Sequence, residues 1–517
     1  MSLVQRVNRF LGEAINLASP FPELSNLCND MKELKSRINK PLRVAVVGVI
    51  KAGKSTLMNA LMGEKLVITG SVETTYTPTW FKYGKTPGIT VKLNDGRTIE
   101  GTLEDIDYWT VRKSGNPELD RVLYVEVRSD NPFLKEIELI DTPGLASSYG
   151  TDSENTMKFV GLNRDESDKI TMNEASLADA IIYAFSRGMG VNDEDILRAF
   201  QGPLFTNATA INAIGVLTKV DNYWSSGYDN PLDGGNKISA NYKTNPKVKN
   251  VLYTIVPVIG RLAEVKNYLD DKDLYILEAL SKLPPERFRK LLLSEQRFCE
   301  KIYDDIPVLT ADREYIWNKL GQYGVYRAVA SLQENSSTET LKEVLYQSSG
   351  VEDLMNIVKH HFGNRSFLIK LKFVTSRIKN QSYMIMNGEG RKSPALLNIL
   401  ECILSGCEKL ESEEHAFAEL KVLQNYYSGT LKLYDKDEID DLLRLTGENG
   451  SNCEARLGVP EGTSITALAK IAQEKAQEWN IKANDGLNSK TYEEMAKVLA
   501  RSCEIMDYHL SNLAGYK

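Results

Sequence analysis

Long apolar segments are missing from this sequence of 517 residues. No stretch approaches the roughly 18 uncharged apolar residues of a membrane-spanning helix. Residues 1–20 carry Arg6, Arg9 and Glu13 among their apolar positions, so they lack the continuous apolar core of a signal peptide. We therefore expect a cytoplasmic protein, and we expect any contact with the inner membrane to be peripheral.

Cysteine, histidine and positive charge are also in short supply. The six cysteines include no CxxC pair and there are only four histidines, a pattern that indicates neither a zinc site nor a disulfide framework. Lysine and arginine total 63 against 70 aspartates and glutamates, which leaves a net charge of −7. Because non-specific binding to nucleic acid needs a cationic surface, we expect no nucleic-acid partner.

The remaining composition is that of a globular protein. Hydrophobic residues make up 42% and charged residues 26% of the chain, which are ordinary values for folded domains. At typical domain sizes, this length predicts roughly two to four domains.

The strongest motif is a phosphate-binding loop. A β-branched apolar run ends at Gly48, a loop containing Gly53 follows, and an amphipathic helix begins at Lys54. The loop amides and the helix N-terminus would surround the β-phosphate, Lys54 would reach the β- and γ-phosphates, and Ser55 would hold Mg²⁺. The candidates for nucleotide binding here are Gly48, Lys51, Ala52, Gly53, Lys54, Ser55 and Thr56.

Two further stretches are candidates for sensing the γ-phosphate. The polar segment 70–76 offers Thr75, with Thr74 as second choice, whose hydroxyl would close on Mg²⁺ only when the γ-phosphate is present. The apolar run 137–140 would deliver Asp141 to the Mg²⁺ shell, and Gly144 would let its amide approach the γ-phosphate. Taken alone, the first segment equally suits a plain surface loop and the second a simple turn.

A third group of residues predicts which base is bound. Thr218, Lys219 and Asp221 follow the apolar run 213–217. The carboxylate of Asp221 can accept hydrogen bonds from N1–H and the exocyclic amine of guanine, and the stem of Lys219 would cover the purine. Ile259 and Gly260 fall where the last base-binding loop is expected. Any surface loop can contain such residues, so the interpretation depends on their order after the other motifs.

Helical periodicity dominates both ends of the chain. Two helices, interrupted at 19–22, are predicted within residues 1–39, and the pattern is mostly helical after Leu262. Long helices are predicted at 367–386, 394–427, 437–445, 466–480 and 491–513, with polar breaks at 387–393 and 447–463 as candidate tips. The first helix and the cluster between Leu396 and Leu404 would also suit membrane-surface helices, but we interpret both as parts of a bundle.

Together these stretches resemble the dynamin superfamily, most closely the shorter bacterial dynamin-like GTPases. The resemblance rests on 48–64, 74–84, 141–144, 218–221 and 255–264, and more weakly on 290–298, 320–328 and 349–372. It implies an α/β fold in which a P-loop GTPase domain, with a mostly parallel sheet flanked by helices, is joined to an α-helical bundle stalk. The implied domains are a G domain at 40–365 with a helical insertion at about 264–345, and a stalk formed by 1–39 and 366–517.

The resemblance also implies an activity and partners. The chain would bind and hydrolyse GTP with Mg²⁺, dimerise through its G domains or assemble through its stalk, and work at a membrane surface or with a partner dynamin-like chain. Lys51, Lys54, Thr75 and Gly144 would be the catalytic residues, and Ser55, Thr75 and Asp141 would hold the metal.

Two departures from the family stand out. Lys51 occupies the position where eukaryotic dynamins carry a serine, and guanylate-binding proteins carry there an arginine that is thought to act as a finger in cis. The stalk that the resemblance implies would also be short, with no lipid-binding domain and no obvious membrane-insertion paddle, which puts membrane fission in doubt more than GTP hydrolysis.

Two other functional classes compete with this interpretation. A soluble GTP-dependent switch of the ribosome-assembly type shares the first four motifs, but such proteins usually append a module rich in lysine and arginine. The acidic balance and the long amphipathic C-terminal helices favour the dynamin-like reading. A helical scaffold with a dead nucleotide site is disfavoured because Lys54, Ser55 and Asp141 are all present.

Overall fold

The chain divides into two compact units, which we call the sheet unit and the helical unit. The sheet unit comprises Arg43–Thr209 and Ala213–Ile357, and the helical unit comprises Met1–Leu42, Ala210–Asn212 and Val358–Lys517. The computed structural model describes residues 3–48, 52–67, 77–111, 115–141, 178–186, 212–226, 229–245, 248, 251–265, 268–334, 337–363, 365–388, 392–427, 430–450 and 452–514.

A mixed nine-stranded sheet forms the centre of the sheet unit, with the order β4-β3-β5-β2-β6-β1-β7-β8-β9. Strands β1, β7, β8 and β9 pair in parallel, as does β2 with β5, whereas β2 with β6 and β3 with both β4 and β5 are antiparallel. The strands are β1 (Leu42–Gly48), β2 (Thr79–Tyr83), β3 (Gly88–Leu93), β4 (Thr98–Gly101), β5 (Val122–Ser129), β6 (Ile137–Asp141), β7 (Ala180–Phe185), β8 (Ala213–Thr218) and β9 (Ile255–Val258).

The parallel half of the sheet has the residue pattern expected of buried strands. Every residue of β1, β7, β8 and β9 is buried, because parallel strands are covered by helices on both faces and therefore consist of continuous apolar runs. In the register, Gly48 lies beside Ala184 and Thr218 beside Val258. The carboxyl ends of these strands therefore meet at one edge of the sheet.

Helices cover the sheet and share its core. Tyr183 and Phe185 of β7 belong to the same hydrophobic cluster as Ile276, Leu320 and Leu341 of the helices that follow the sheet. The helices of this unit are α1 (Lys54–Met62), α2 (Ile106–Thr110), α3 (Pro231–Thr244), α4 (Gly260–Val265), α5 (Asp271–Ser281), α6 (Pro285–Leu291), α7 (Thr310–Gln333), α8 (Thr338–Gln347) and α9 (Val351–Ile357).

The described residues of the helical unit form two separate hydrophobic cores. Four helices build the first: α10 (Leu3–Ala18), α11 (Ser25–Arg37), α12 (Ser366–Asn387) and α13 (Pro394–Glu413). Five build the second: α14 (His415–Tyr427), α15 (Lys436–Leu445), α16 (Cys453–Leu457), α17 (Ile465–Ala483) and α18 (Lys490–Leu513). None of the helices in the described part of the chain is long and apolar enough to cross a membrane.

The bundle interpretation of the two ambiguous segments is confirmed. Val7 and Leu11 of α10, the first helix of the chain, are buried in the first core. Leu396, Leu400 and Ile403 of α13 are buried in the same core. In the sheet unit, β3 and β4 form a hairpin and pair across the turn at Asn94–Gly96.

Two expectations for the C-terminal helices are wrong. The single helix predicted at 394–427 is divided at Glu414, whose φ of −96° and ψ of 110° are extended, and α13 and α14 enter different cores. The break at 447–463 is not a second tip. Arg365, just before α12 begins, donates to Thr446 O at 2.7 Å and to Glu448 at 2.6 Å, so the start of this break lies at the opposite end of α12 from residue 387. The break also contains the short helix α16.

Candidate functional site

The predicted site residues gather where adjacent strands of the sheet end. β1 ends at Gly48, β6 at Asp141, β8 at Thr218 and β9 at Val258, and β6, β1, β7, β8 and β9 are consecutive in the sheet. In open α/β sheets the crevice beyond the carboxyl ends of the strands is the usual place for a ligand.

Glycine is required where β1 ends. A Cβ atom on Gly48 would lie only 2.0 Å from the carbonyl oxygen of Ala184 in β7, so no larger residue fits. The ammonium group of Lys54 returns from the start of α1 to Gly48 O, at 3.4 Å. The ammonium group of Lys54 thus lies at the end of β1, beside the loop that the sequence predicts to bind phosphate.

The start of α1 is open to an anion. Gly53 precedes the helix with φ 79° and ψ 27°, a left-handed conformation that favours glycine, and no side chain of the described residues caps the first turn. The N–H groups of a first turn carry partial positive charge. Such a terminus suits the phosphate groups predicted for Gly53, Lys54 and Ser55.

Thr218 joins the loop to the sheet. Its Oγ1 lies 2.6 Å from Ala52 O and 3.0 Å from Phe185 O, and a single hydroxyl proton serves one of these carbonyls at a time. The side chain is buried. Thr218 therefore positions the backbone of the phosphate loop from the end of β8.

Asp221 is held in a tight turn after β8. Lys219 has φ 57°, an unusual value for a residue with a side chain, and Asn222 N donates to Lys219 O at 3.2 Å. Asp221 is only 8% exposed. Its Oδ1 is buried and accepts no hydrogen bond from the described residues, while its Oδ2 lies 3.5 Å from Arg261 Nε.

A small cavity of ≈ 80 Å³ brings together residues of the predicted phosphate loop and of the predicted base-binding stretches. Gly260 allows α4 to approach α1, because a Cβ there would lie 2.9 Å from Thr56 Cγ2. The cavity is lined by Gly53, Thr56, Leu57, Thr218, Lys219, Asp221, Val258, Ile259, Gly260 and Arg261. Predicted residues from three separate stretches of the chain thus line one cavity.

The residues near the predicted metal position supply oxygen ligands. Asp141 is 1% exposed at the end of β6 and lies opposite Thr79 of β2, and Ser55 is half-buried in the first turn of α1. A carboxylate and a hydroxyl suit Mg²⁺, which is commonly held by one or two carboxylates together with phosphates and water. Among the described residues no group of three or more His, Cys, Asp or Glu side chains could hold a metal ion.

A buried amide anchors the segment after α1. Asn59 accepts from the amides of Leu66 and Val67 and donates to Glu264 Oε1 at 2.8 Å. Burial raises the pKa of Glu264, an effect that the bond from Asn59 partly offsets. This contact connects α1 to the end of α4, which begins at the predicted base-binding loop.

Some predicted site residues are not described by the structure, and the structure shows two residues at the site that were not predicted. Lys51, Thr74, Thr75 and Gly144 lie outside the described residues, so their roles stay predictions. Sequence reasoning missed Arg261, although it directly follows Gly260. It also missed Gly321, a position with φ 71° within α7 that lies against Asp221 and Arg261.

Comparison with known proteins gives matches over the sheet unit and over the whole chain. A sequence model described as the dynamin family matches residues 44–202. Isoniazid-induced protein IniC of Mycobacterium tuberculosis is 26% identical over 516 residues, covering 98% of each chain. Dynamin-like protein 2 of Campylobacter jejuni is 32% identical over 130 residues, which are 25% of this chain and 21% of that protein.

One solved structure is similar over most of its length. It is described as an oligomerised bacterial dynamin pair, is 14% identical, covers 98% of this chain and 90% of its own, and superposes with a TM-score of 0.28.

Proposed function

Because the chain belongs to the dynamin family and is a bacterial dynamin-like GTPase, we propose that it binds GTP and Mg²⁺ where β1, β6, β8 and β9 end. We further propose that nucleotide-dependent dimerisation and assembly couple hydrolysis to work at a membrane surface. The observation that carries the nucleotide proposal is the cavity in which the start of α1 and the carboxylate of Asp221 lie together.

Each predicted residue has a part in this proposal. The backbone of Gly48, Ala52, Gly53 and Thr56 surrounds the phosphates with Lys54, and Asp221 reads guanine while Thr218, Lys219, Ile259 and Gly260 shape the base pocket. Ser55, Thr75 and Asp141 would hold Mg²⁺, which neutralises charge on the phosphates when it is bound. Lys51 and Gly144 would act at the γ-phosphate.

We also propose the domain division expected from the sequence. Residues 40–365 would form the G domain, and 1–39 with 366–517 the stalk through which copies assemble. Dimerisation through G domains would order Lys51 against the nucleotide. Assembly with a partner dynamin-like chain is an alternative use of the same stalk.

One end of the first helical core supports peripheral membrane contact. Arg6 pairs with Glu414, and Asp30 accepts from Arg377 at 2.9 Å and from Gln381. This register brings the C-terminal ends of α10 and α12 to the same end of the bundle. Leu17, Tyr383 and Met384 are exposed there, Met384 by 75%, and basic Arg391 and Lys392 follow.

GTP turnover tests the proposal when it is measured against protein concentration, with and without anionic liposomes. A self-assembling membrane enzyme should turn over more GTP per molecule as its concentration rises, and liposomes should increase the rate further. Turnover per molecule that depends on neither variable would instead favour the soluble GTP-dependent switch. Absence of GTP turnover and binding would contradict both functions.

A further inference from the structure

The two carboxylate oxygens of Asp221 have different surroundings. Oδ1 is buried and accepts no hydrogen bond from any described residue. Oδ2 faces the guanidinium group of Arg261, with Nε 3.5 Å away. Guanine has two adjacent N–H donors, which can donate to both oxygens of this carboxylate. Oδ1 would be ready to accept such a bond, whereas Oδ2 already has a cationic neighbour.

Gly321 makes room for that cationic neighbour. Its φ of 71° and ψ of 171° interrupt the helical conformation of α7. A Cβ atom at this position would lie 2.7 Å from Arg261 Nη1 and 3.3 Å from Asp221 Oδ2. The guanidinium therefore fits against Oδ2 only because residue 321 has no side chain.

The arginine is also free to leave without disturbing the core. Its side chain is 37% exposed, whereas that of Asp221 is 7% exposed. The cavity that it lines measures only ≈ 80 Å³, well below the roughly 300 Å³ at which typical ligand pockets begin. Movement of the exposed guanidinium into solvent is the simplest way to enlarge it.

We infer, resting on the proposed function, that Arg261 is a gate on the guanine pocket: in the nucleotide-free chain it holds Oδ2 of Asp221, and guanine must displace it. Base binding exchanges an ion pair for hydrogen bonds from two neutral donors. The exchange weakens guanine nucleotide binding, and a base without the donor pair gains nothing that would displace the arginine. Arg261 thus tunes nucleotide affinity without contacting the phosphates.

The test uses the full-length chain and fluorescently labelled GDP. Arg261→Met keeps the length of the side chain and removes its charge. The matched control is Arg289→Met, an exposed arginine of α6 in the same unit. Equilibrium titrations are run in about 50 mM and about 500 mM KCl, because salt screens a pair with an exposed partner.

A gate predicts that Arg261→Met lowers the Kd for GDP about five-fold at low salt, the effect of removing an ion pair worth about 1 kcal/mol. The difference from the wild type should shrink at high salt, and Arg289→Met should match the wild type.

An unchanged Kd in Arg261→Met would overturn the gate, because the arginine would then have no part in affinity. A higher Kd would overturn it too, because the arginine would then orient Asp221 for the base. Failure of the wild type and of Arg289→Met to bind GDP, or equally tight binding of labelled ADP, would overturn the proposed function together with the gate. GDP binding with guanine preference but no effect of Arg261 would overturn the gate alone.

Discussion

Asp221 concentrates the base specificity of the proposed site in one side chain. A buried carboxylate that is built to accept two N–H groups is left unpaired by adenine, and leaving a buried polar group unpaired costs about 1–3 kcal/mol. Asp221→Asn replaces one acceptor with a donor. We expect weaker GTP binding and stronger binding of xanthosine triphosphate, measured by competition titration. Equal affinity of the wild type for ATP and GTP would contradict this assignment.

Lys54 offers a second test at the same scale. The side chain is half-buried at the start of α1, contacts Gly48 O and belongs to none of the hydrophobic clusters. Lys54→Ala should therefore abolish GTP binding or turnover while the circular dichroism spectrum stays that of the wild type. A variant that fails to fold would show that this lysine supports the structure instead.

At the scale of elements, the charges between α12 and α13 decide how the first helical core responds to pH. Glu411 of α13 is reached by Thr375 and by the ammonium groups of Lys372 and Lys379, at 3.2 Å and 2.9 Å. Burial raises the pKa of Glu411, but these hydrogen bonds and charges outweigh burial and hold the pKa below its ordinary value. The ionised form is thus favoured by folding.

Replacing this carboxylate gives a pH-dependent prediction. A folded-state pKa below the unfolded one stabilises the fold above the unfolded pKa, and the stabilisation is lost as the pH falls through the folded value. Glu411→Gln should lower the free energy of unfolding by about 1–2 kcal/mol at about pH 7, and by less at about pH 4. Urea unfolding measures both differences.

The control for this prediction is Glu408→Gln, an exposed position on the same helix. That variant should stay within about 0.5 kcal/mol of the wild type. A Glu411 effect of the same size at both pH values would show that packing, not charge, accounts for it.

At the scale of the whole molecule, the exposed end of the first helical core should set membrane affinity. Reversing both charges in Arg391→Glu/Lys392→Glu should weaken cosedimentation with anionic vesicles, because basic groups near such a surface contribute about 1 kcal/mol each. The control is Lys470→Glu, which reverses the charge of an exposed side chain on α17, a helix of the second core. This variant should cosediment like the wild type. Unchanged sedimentation of the double variant would remove this end of the bundle from the membrane proposal.

The proposed role of Lys51 in catalysis also belongs to the scale of the whole molecule, because it depends on assembly. Leu145, Ala146, Ser147 and Ser148 follow Gly144, and none of these four is a glutamine that could orient the attacking water. A lysine at position 51 would act as a point charge on the transferred phosphoryl group, once a second G domain orders it. Lys51→Ala should cut turnover on the order of 10³-fold with near-normal GTP affinity.

Turnover measured over a range of protein concentrations distinguishes a catalytic Lys51 from a Lys51 whose side chain only points into solvent. The variant should lose any concentration dependence that the wild type shows. Equal turnover per molecule in the two proteins would leave Lys51 without a catalytic role.

The sequence by itself determined the features that depend on consecutive residues. The strand, glycine and helix around Gly48, Gly53 and Lys54 can be recognised because a phosphate loop needs those residue types at a fixed spacing. Buried parallel strands and amphipathic helices were predictable from their periodicity for the same reason. The α/β fold with a helical bundle followed, and it is confirmed.

Only the tertiary structure decided which distant residues meet. Gly321 lies 100 positions after Asp221, and the two come together at a buried glycine of α7 that leaves room for Arg261 of α4. The division of the predicted helix at Glu414 was equally hidden, since apolar periodicity continues through it while the two halves join different cores. Local patterns report which face of an element is buried, whereas the partner that buries it is chosen by packing of the whole chain.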